Sequence, residues 1–216
     1  ERHIQVLEKV QPLLPEGSEV ILLGDAEYDT TEMLLWMEKN TTWKYVLRTA
    51  PQIYVQTSTE SQPLRDYPLQ PGYLFSLSQV GFTQTATVTL NAIGWWGTEY
   101  KEPIFLITNL VDAYEACRTY RRRFRIETFF SDQKSRGFHI HKRHLADPAR
   151  LSRLLIAACL AYIWMIVQGL RVLAEGKLAL IDHSDRRDKS LFRLGLDWLK
   201  YALKHSMDFQ PVFLFS

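Results

Sequence analysis

The sequence predicts an α/β fold, and three neighbouring stretches carry that prediction. Residues 19–25 form a short apolar run that closes in Gly-Asp, residues 29–38 have a helical pattern, and residues 43–48 form a second apolar run. A strand, a helix and a strand at this spacing are typical of an α/β sheet. A strand that ends in an acidic residue also delivers a carboxylate to the sheet edge where α/β sites assemble.

The segment before this unit is predicted to be helical. Residues 1–14 carry Ile4, Leu7 and Val10 at helical spacing, which indicates an amphipathic helix that ends before Pro15. The helix over residues 29–38 has a predicted capping box formed by Asp29 and Glu32.

Residues 50–103 have a different pattern. Thr, Tyr, Val and Gln alternate, and no helical period persists. Residues 73–80 and 86–93 are predicted as antiparallel strands with Gly81 near the turn. We therefore expect a β-rich insertion in the α/β core, after which residues 104–108 return as a core strand.

The remainder of the chain is predicted to be mainly helical. Asp112 caps a long helix that includes residues 120–134, and Asp147 followed by Pro148 is a strong start signal for another helix. The apolar run at 154–167 is shorter than the roughly 20 residues of a membrane span, so we expect a buried core helix and no membrane association. A last amphipathic helix is predicted over residues 190–205. The predicted parts are a partial core (1–49), the insertion (50–103), a strand with the long helix and a basic connection (104–146), and C-terminal helices (147–216).

Composition places the chain among ordinary globular proteins, because 46% of its residues are hydrophobic and 23% are charged. The net charge of +2 is unevenly distributed. Residues 118–153 hold eleven Lys and Arg against three acids, whereas the rest of the chain holds fifteen against twenty-one. A basic block on an otherwise acidic protein indicates a polyanionic partner, most simply a nucleic acid.

Two cysteines, Cys117 and Cys159, have no pair spacing. This pattern fits a reducing compartment, so we expect a cytoplasmic protein, and it argues against a disulfide framework or a zinc site.

One face of the long helix carries a distinctive set of polar residues. Tyr120, Arg123, Glu127 and Lys134 are spaced at i, i+3, i+7 and i+14, which places them within a sector of about 60° on a regular α-helix. Charged residues at helical spacing usually form a solvated face. Here apolar residues flank the polar stripe on both sides, which indicates that the helix is packed around much of its circumference. A carboxylate between cations suits a metal ion beside a phosphate.

This spacing resembles the Tyr-x2-Arg-x3-Glu-x6-Lys signature of bacterial DDE transposases of the insertion-sequence-four family. The resemblance implies an RNase H-like core, here N-terminally truncated, with a β-rich insertion. It implies cut-and-paste DNA transposition by phosphoryl transfer dependent on Mg²⁺ or Mn²⁺, and a homodimer assembled on transposon ends and target DNA. Tyr120, Arg123 and Lys134 would then hold phosphates.

The same resemblance predicts the catalytic and metal-binding residues. Asp25 matches the second Asp of the family's three carboxylates, and Glu127 matches its Glu. Two divalent ions held by carboxylate oxygens suit phosphodiester transfer. Taken alone, Asp25 at a strand end reads more readily as a turn residue. No counterpart of the first Asp is found, so we expect the first three core strands to be missing and the chain to be inactive by itself.

Three further features have alternative interpretations. Lys142, Arg143 and Arg150 extend a DNA track or are simply solvated. His139, His141 and His144 lack a standard zinc spacing and fit a phosphate contact or a surface loop better. Trp95 and Trp96 either include a base-stacking residue, as the resembled family uses an aromatic in its insertion, or divide into one core and one interface residue.

Two other functions compete with the transposase. A non-catalytic DNA-binding or inhibitory remnant would share the basic helix and lack the full carboxylate set. Another RNase H-like nuclease would not need all four positions of the Tyr-Arg-Glu-Lys face.

Overall fold

The computed structural model describes residues 2–139, 147–183 and 189–207. It divides into two compact units, Glu1–Phe124 and Arg125–Ser216, and the boundary falls within the long helical segment. The first unit contains all the described strands and the second is helical.

The first unit is built on a seven-stranded mixed sheet. Its strand order is β1-β2-β7-β6-β5-β3-β4. The pair β1 and β2 is parallel, and all other neighbours are antiparallel. The strands are β1 Ile21–Gly24, β2 Lys44–Thr49, β3 Tyr54–Gln56, β4 Ser61–Pro63, β5 Leu74–Phe82, β6 Val88–Trp95 and β7 Ile104–Thr108.

The predicted α/β class is confirmed, and the strands of residues 50–103 are part of the same sheet. Strand β7 pairs along its whole length with Asn91–Trp95 of β6, and Ala92 lies opposite Ile107. The predicted hairpin forms, and Gly81 lies near its turn as expected, one residue before β5 ends at Phe82. The division into four parts stays a prediction.

Helices cover both faces of this sheet. On one face, α1 (Arg2–Val10) and α2 (Thr31–Asn40) bury Leu7, Leu34 and Met37 against inward-facing strand residues such as Leu47. On the other face, α3 (Ala113–Tyr120) buries Cys117 and Tyr120 against Val46 and Leu106, among others. Alternate residues of one strand therefore belong to different cores, as the two-residue period of a strand requires.

Of the predicted N-caps of α2 and α3, the structure contains the one of α3 and not the one of α2. Asp112 caps α3 as expected, because its Oδ1 accepts from the backbone amide of Tyr114 at 2.8 Å. The predicted capping box of α2 is wrong. Thr30 is the N-cap and accepts from Met33 N, whereas Asp29 accepts a 2.6 Å hydrogen bond from the hydroxyl of Thr49 on β2. A tertiary partner has replaced the local one.

The long helical segment is not one regular α-helix. A 3₁₀ turn at Arg121–Arg123 follows α3, α4 spans Phe124–Ser131, and a π-helical turn occupies Asp132–Arg136. A single 100° step per residue therefore does not apply along its length. Tyr120 and Arg123 belong to the first unit, whereas Glu127 and Lys134 belong to the second. The prediction that all four residues share one helical face therefore stays a prediction.

The second unit packs α5 (Pro148–Ala174) against α6 (Leu191–Lys204). The helices approach closely at Gly169 and Gly195, because a Cβ at Gly195 would meet the carbonyl oxygen of Met165. Val172, Trp198 and Ala202 form a buried cluster between them.

Helix α5 is buried along one face only, which is less than expected for a core helix. Ile156, Leu160 and Ile163 are at least half exposed. Among the described residues, α5 alone is long and apolar enough to cross a membrane, a test that the core helix of a globular protein also passes. The absence of membrane association stays a prediction.

Candidate functional site

Asp25 lies where the sequence places it, directly after β1 at the end of the parallel strand pair. The register pairs Gly24 with Leu47, so Asp25 and Arg48 occupy the next position on adjacent strands. The Asp25 side chain is exposed, and its Oδ1 accepts from the backbone amide of Glu27 at 3.2 Å. This local bond fixes the carboxylate at the edge of the sheet.

A cavity of about 400 Å³ opens beside this carboxylate. Asp25, Arg48 and Glu102 contribute its charged groups together with Glu27. A second cavity of about 440 Å³ shares the wall formed by Pro51, Glu102, Pro103 and Phe105, and it is lined further by Arg65 and Trp96. The two cavities together connect the Asp25 strand end to the β-rich segment.

Tyr120 and Arg123 form a compact pair in the same unit. Arg123 Nε donates to the Tyr120 hydroxyl at 3.2 Å, and the guanidinium lies 5.5 Å from the Tyr120 ring centroid and 5.2 Å from that of Phe124. The Tyr120 side chain is only 1% exposed. Its predicted phosphate contact stays a prediction, whereas its support of Arg123 is part of the structure.

The electrostatics of Tyr120 tie this pair to Asp25. Burial raises the pKa of the Tyr120 phenol, the charges of Arg123 and Arg48 and the Arg123 hydrogen bond oppose that rise, and the charge of Asp25 adds to it. The phenol therefore stays protonated at neutral pH. The charges of Asp25, Arg48 and Arg123 therefore all act on the Tyr120 phenol, and these four residues form the cluster considered below.

Sequence reasoning missed Arg48. The sequence holds a signal, because Arg48 directly follows the apolar residues Tyr45–Leu47. In the structure Arg48 is exposed, whereas Tyr45–Leu47 and Thr49 are buried. It lies on the same side of β2 as Val46, which packs against α3. Arg48 therefore places a guanidinium, a group that binds phosphate oxygens well, level with the predicted catalytic residue Asp25.

Glu127 and Lys134 lie on the second unit, and both side chains are exposed. Glu127 belongs to α4 and Lys134 to the π-helical turn, a geometry that is frequent at functional sites. The turn is attached to α5 through Asp132, which is 4% exposed and accepts from the Tyr162 hydroxyl at 3.4 Å. The convergence of Asp25 and Glu127 on one cation stays a prediction.

The remaining predicted residues divide into three groups. Lys142 and Arg143 lie outside the described residues, as do His141 and His144. Trp95 is a core residue, packed edge-on against Tyr100 at 5.2 Å with the Arg121 guanidinium 4.8 Å from its ring centroid. Trp96 lines the second cavity and donates from Nε1 to the Tyr100 carbonyl at 3.1 Å.

A family model described as a transposase DDE domain matches residues 1–164 of this chain. The chain belongs to the transposase DDE domain family. This family implies an RNase H-like fold, a nucleotidyl-transfer enzyme class and a DNA substrate. A comparison with curated proteins gives no match.

The transposase family normally uses a divalent metal, and the chemistry of the predicted ligands fits one. Asp25 and Glu127 offer carboxylate oxygens, the donors that Mg²⁺ prefers, and Mg²⁺ retains several waters beside few protein ligands. Within residues 2–139, 147–183 and 189–207, no three His, Cys, Asp or Glu side chains are grouped closely enough to hold a metal ion.

Proposed function

We propose that the chain is the catalytic-domain portion of a cut-and-paste transposase of the insertion-sequence-four type. It binds transposon-end and target DNA and supplies two carboxylates, Asp25 and Glu127, to a phosphoryl-transfer centre that uses Mg²⁺ or Mn²⁺. The observation that carries the proposal is the cluster of Asp25, Arg48, Tyr120 and Arg123 at one edge of the sheet. A single carboxylate beside two guanidinium groups is suited to a metal ion next to a phosphodiester.

Each residue of the cluster has a separate role in this proposal. Asp25 holds the cation, and Arg48 and Arg123 contact phosphate oxygens, which guanidinium groups bind through two parallel hydrogen bonds. Tyr120 holds Arg123 in place from the core. A bound divalent ion would supply charge neutralisation and activation of the attacking hydroxyl.

Glu127 and Lys134 complete the proposal from the second unit. Glu127 is the family's acidic ligand by its place in the Tyr-Arg-Glu-Lys spacing, and Lys134 provides a point charge for a second phosphate. Lys142 and Arg143 extend the basic surface along the DNA. In this proposal the protein acts as a homodimer in the bacterial cytoplasm, associated with the nucleoid.

DNA binding is the first test. Fluorescence anisotropy with a labelled duplex should show binding that weakens steeply with salt, because phosphate contacts release counterions. R48A and R123A should each lower affinity, since hydrogen bonds to charged groups contribute about 1.5–3 kcal/mol. K39A, which removes an exposed cation at the end of α2, is the matched control. Equal affinity of all three variants would refute the proposed interface.

The second candidate is a DNA-binding remnant without catalysis, which would share the basic helix and lack the full set of carboxylates. A nicking assay with Mg²⁺ or Mn²⁺ separates the two functions. The remnant binds DNA and leaves it intact. Cleavage by the purified chain that disappears in D25N and in E127A would establish the enzyme and reject the remnant.

A further inference from the structure

Phe130 presents an aromatic ring on the same helical segment as Glu127 and Lys134. Its side chain is 52% exposed, which is unusual for so large an apolar group. Glu127 precedes it by three residues within α4, and Lys134 follows it by four, in the π-helical turn. Glu127 and Phe130 lie one turn apart in α4 and therefore share a helix face, and Lys134 adds a cation in the turn that follows.

The ring is supported from below by a series of aromatic contacts. Phe130 contacts Phe129 at 5.5 Å between centroids, and Phe129 packs edge-on against Tyr162 at 4.9 Å. Tyr162 in turn stacks on the buried Phe192 at 4.8 Å with an interplanar angle of 22°. A ligand that stacks on Phe130 therefore meets a ring restrained by packing, which lowers the entropy lost on binding.

We propose that Phe130 is a stacking surface for one unpaired base of the bound DNA. The inference rests on the proposed function, because it takes Glu127 and Lys134 as neighbours of the DNA backbone. Exposed aromatic rings beside cations are the usual means by which proteins hold single-stranded nucleic acid. A ring face can accept any base, so this contact would add affinity with little sequence preference.

The flanking charges favour a nucleotide over an apolar protein partner. A protein surface that covered Phe130 would also desolvate Glu127 and Lys134, and an apolar surface offers neither of them a hydrogen bond. A nucleotide offers a phosphate oxygen to Lys134, and Glu127 would hold a divalent ion that neutralises phosphate charge.

The base must be unpaired because the ring approaches it from its face. In a closed duplex the faces of internal bases are covered by their neighbours, and only their edges are accessible in the grooves. A strand end with an overhang presents such a face without any cost of unstacking. The expected ligand is therefore a DNA end that carries at least one unpaired nucleotide.

The test compares two DNA molecules of equal length, one with a single-stranded overhang and one with every base paired and both ends closed by covalent linkers. F130A should weaken binding of the overhang DNA by about 5- to 150-fold, the range observed for loss of one base–aromatic stack, and leave the closed duplex unaffected. F130W should retain the affinity. A 2-aminopurine in the overhang should be quenched by the parent chain and by F130W, but not by F130A.

L160A is the matched control, because Leu160 is an equally exposed apolar residue on α5. Loss of affinity in L160A as large as in F130A, or an equal loss on both DNA molecules, would overturn the inference. Full overhang binding by F130A would also overturn it while leaving the proposed function intact. No binding of either DNA by the parent chain would refute the proposed function and this inference together.

Discussion

Arg123 donates a 3.2 Å hydrogen bond from Nε to the buried hydroxyl of Tyr120, and its guanidinium lies over the same aromatic ring. The bond fixes a surface cation to a residue of the core. Two of the four positions in the Tyr-Arg-Glu-Lys spacing thus form one structural pair. The tyrosine sets the direction of the arginine, and the arginine faces the DNA in the proposed function.

Y120F tests this pairing. The substitution keeps the ring and removes only the hydroxyl, so we expect the free energy of unfolding to fall by about 1 kcal/mol. DNA affinity should fall as well, because Arg123 loses the group that orients it. Urea denaturation and anisotropy binding measure the two effects. Y73F, at an exposed tyrosine, should change neither, and a stability loss without weaker binding would show that Tyr120 does not position Arg123.

K134A should change the salt dependence of DNA binding. Loss of one phosphate contact reduces the slope of log K against log salt by about 0.9. The measurement is a series of anisotropy titrations from low to moderate salt. K204A, at the exposed end of α6, should leave the slope unchanged. The same slope in K134A as in the parent chain would remove Lys134 from the interface.

D29N should become more stable than the parent chain as the pH rises. Burial raises the pKa of the Asp29 carboxyl above its ordinary value of 3.8, and the Thr49 hydrogen bond offsets part of this rise. Because the folded-state pKa is the higher one, ionisation of Asp29 costs stability. This loss of stability is absent below about pH 3.8, the ordinary pKa of an Asp, and is complete above the folded-state pKa of Asp29. An Asn at this position does not ionise, so D29N does not lose this stability.

Urea denaturation between pH 3.5 and 7 measures this difference. T49V removes the Thr49 hydrogen bond, a bond that lowers the pKa of Asp29. The pH range over which Asp29 ionises in the folded protein should therefore extend upwards in that variant. A gain of D29N that shrinks as the pH rises would contradict the assignment.

G195A should destabilise the second unit. A Cβ at this position meets the carbonyl oxygen of Met165, a backbone atom that cannot move independently. Overpacking of this kind costs about 1–3 kcal/mol or more. L203A, on the exposed side of α6, is the control and should change stability by less than about 0.5 kcal/mol. Equal stability of both variants would show that α5 and α6 can separate at little cost.

Several elements of the fold followed directly from local chemistry. Strand β7 has the predicted bounds, and the caps at Asp112 and Asp147 form as expected because a short acidic side chain binds the amides next to it in the chain. The predicted cap of α2 by Asp29 was wrong, because the Asp29 carboxylate accepts a hydrogen bond from Thr49, a residue distant in sequence. Local patterns cannot reveal such a competitor.

The same distinction applies to the site. Asp25 was identified from its strand and from the resemblance, since both depend on residues close in sequence. Arg48 was not, because its importance arises from the register of β1 against β2. The irregular turns around Tyr120 and Lys134 were also missed, since residues 120–134 contain no Pro or Gly that would signal a break in the helix.

The amino-acid sequence by itself determined the α/β class, the spacing of Tyr120, Arg123, Glu127 and Lys134, and the transposase resemblance, because these depend on the order of residues along one segment. Tertiary structure alone decided that Tyr120 is buried beneath Arg123, that Arg48 neighbours Asp25, and that Phe130 remains exposed above a packed series of aromatic rings. These relationships arise when strands pair and helices pack, and such contacts join residues that no local pattern connects.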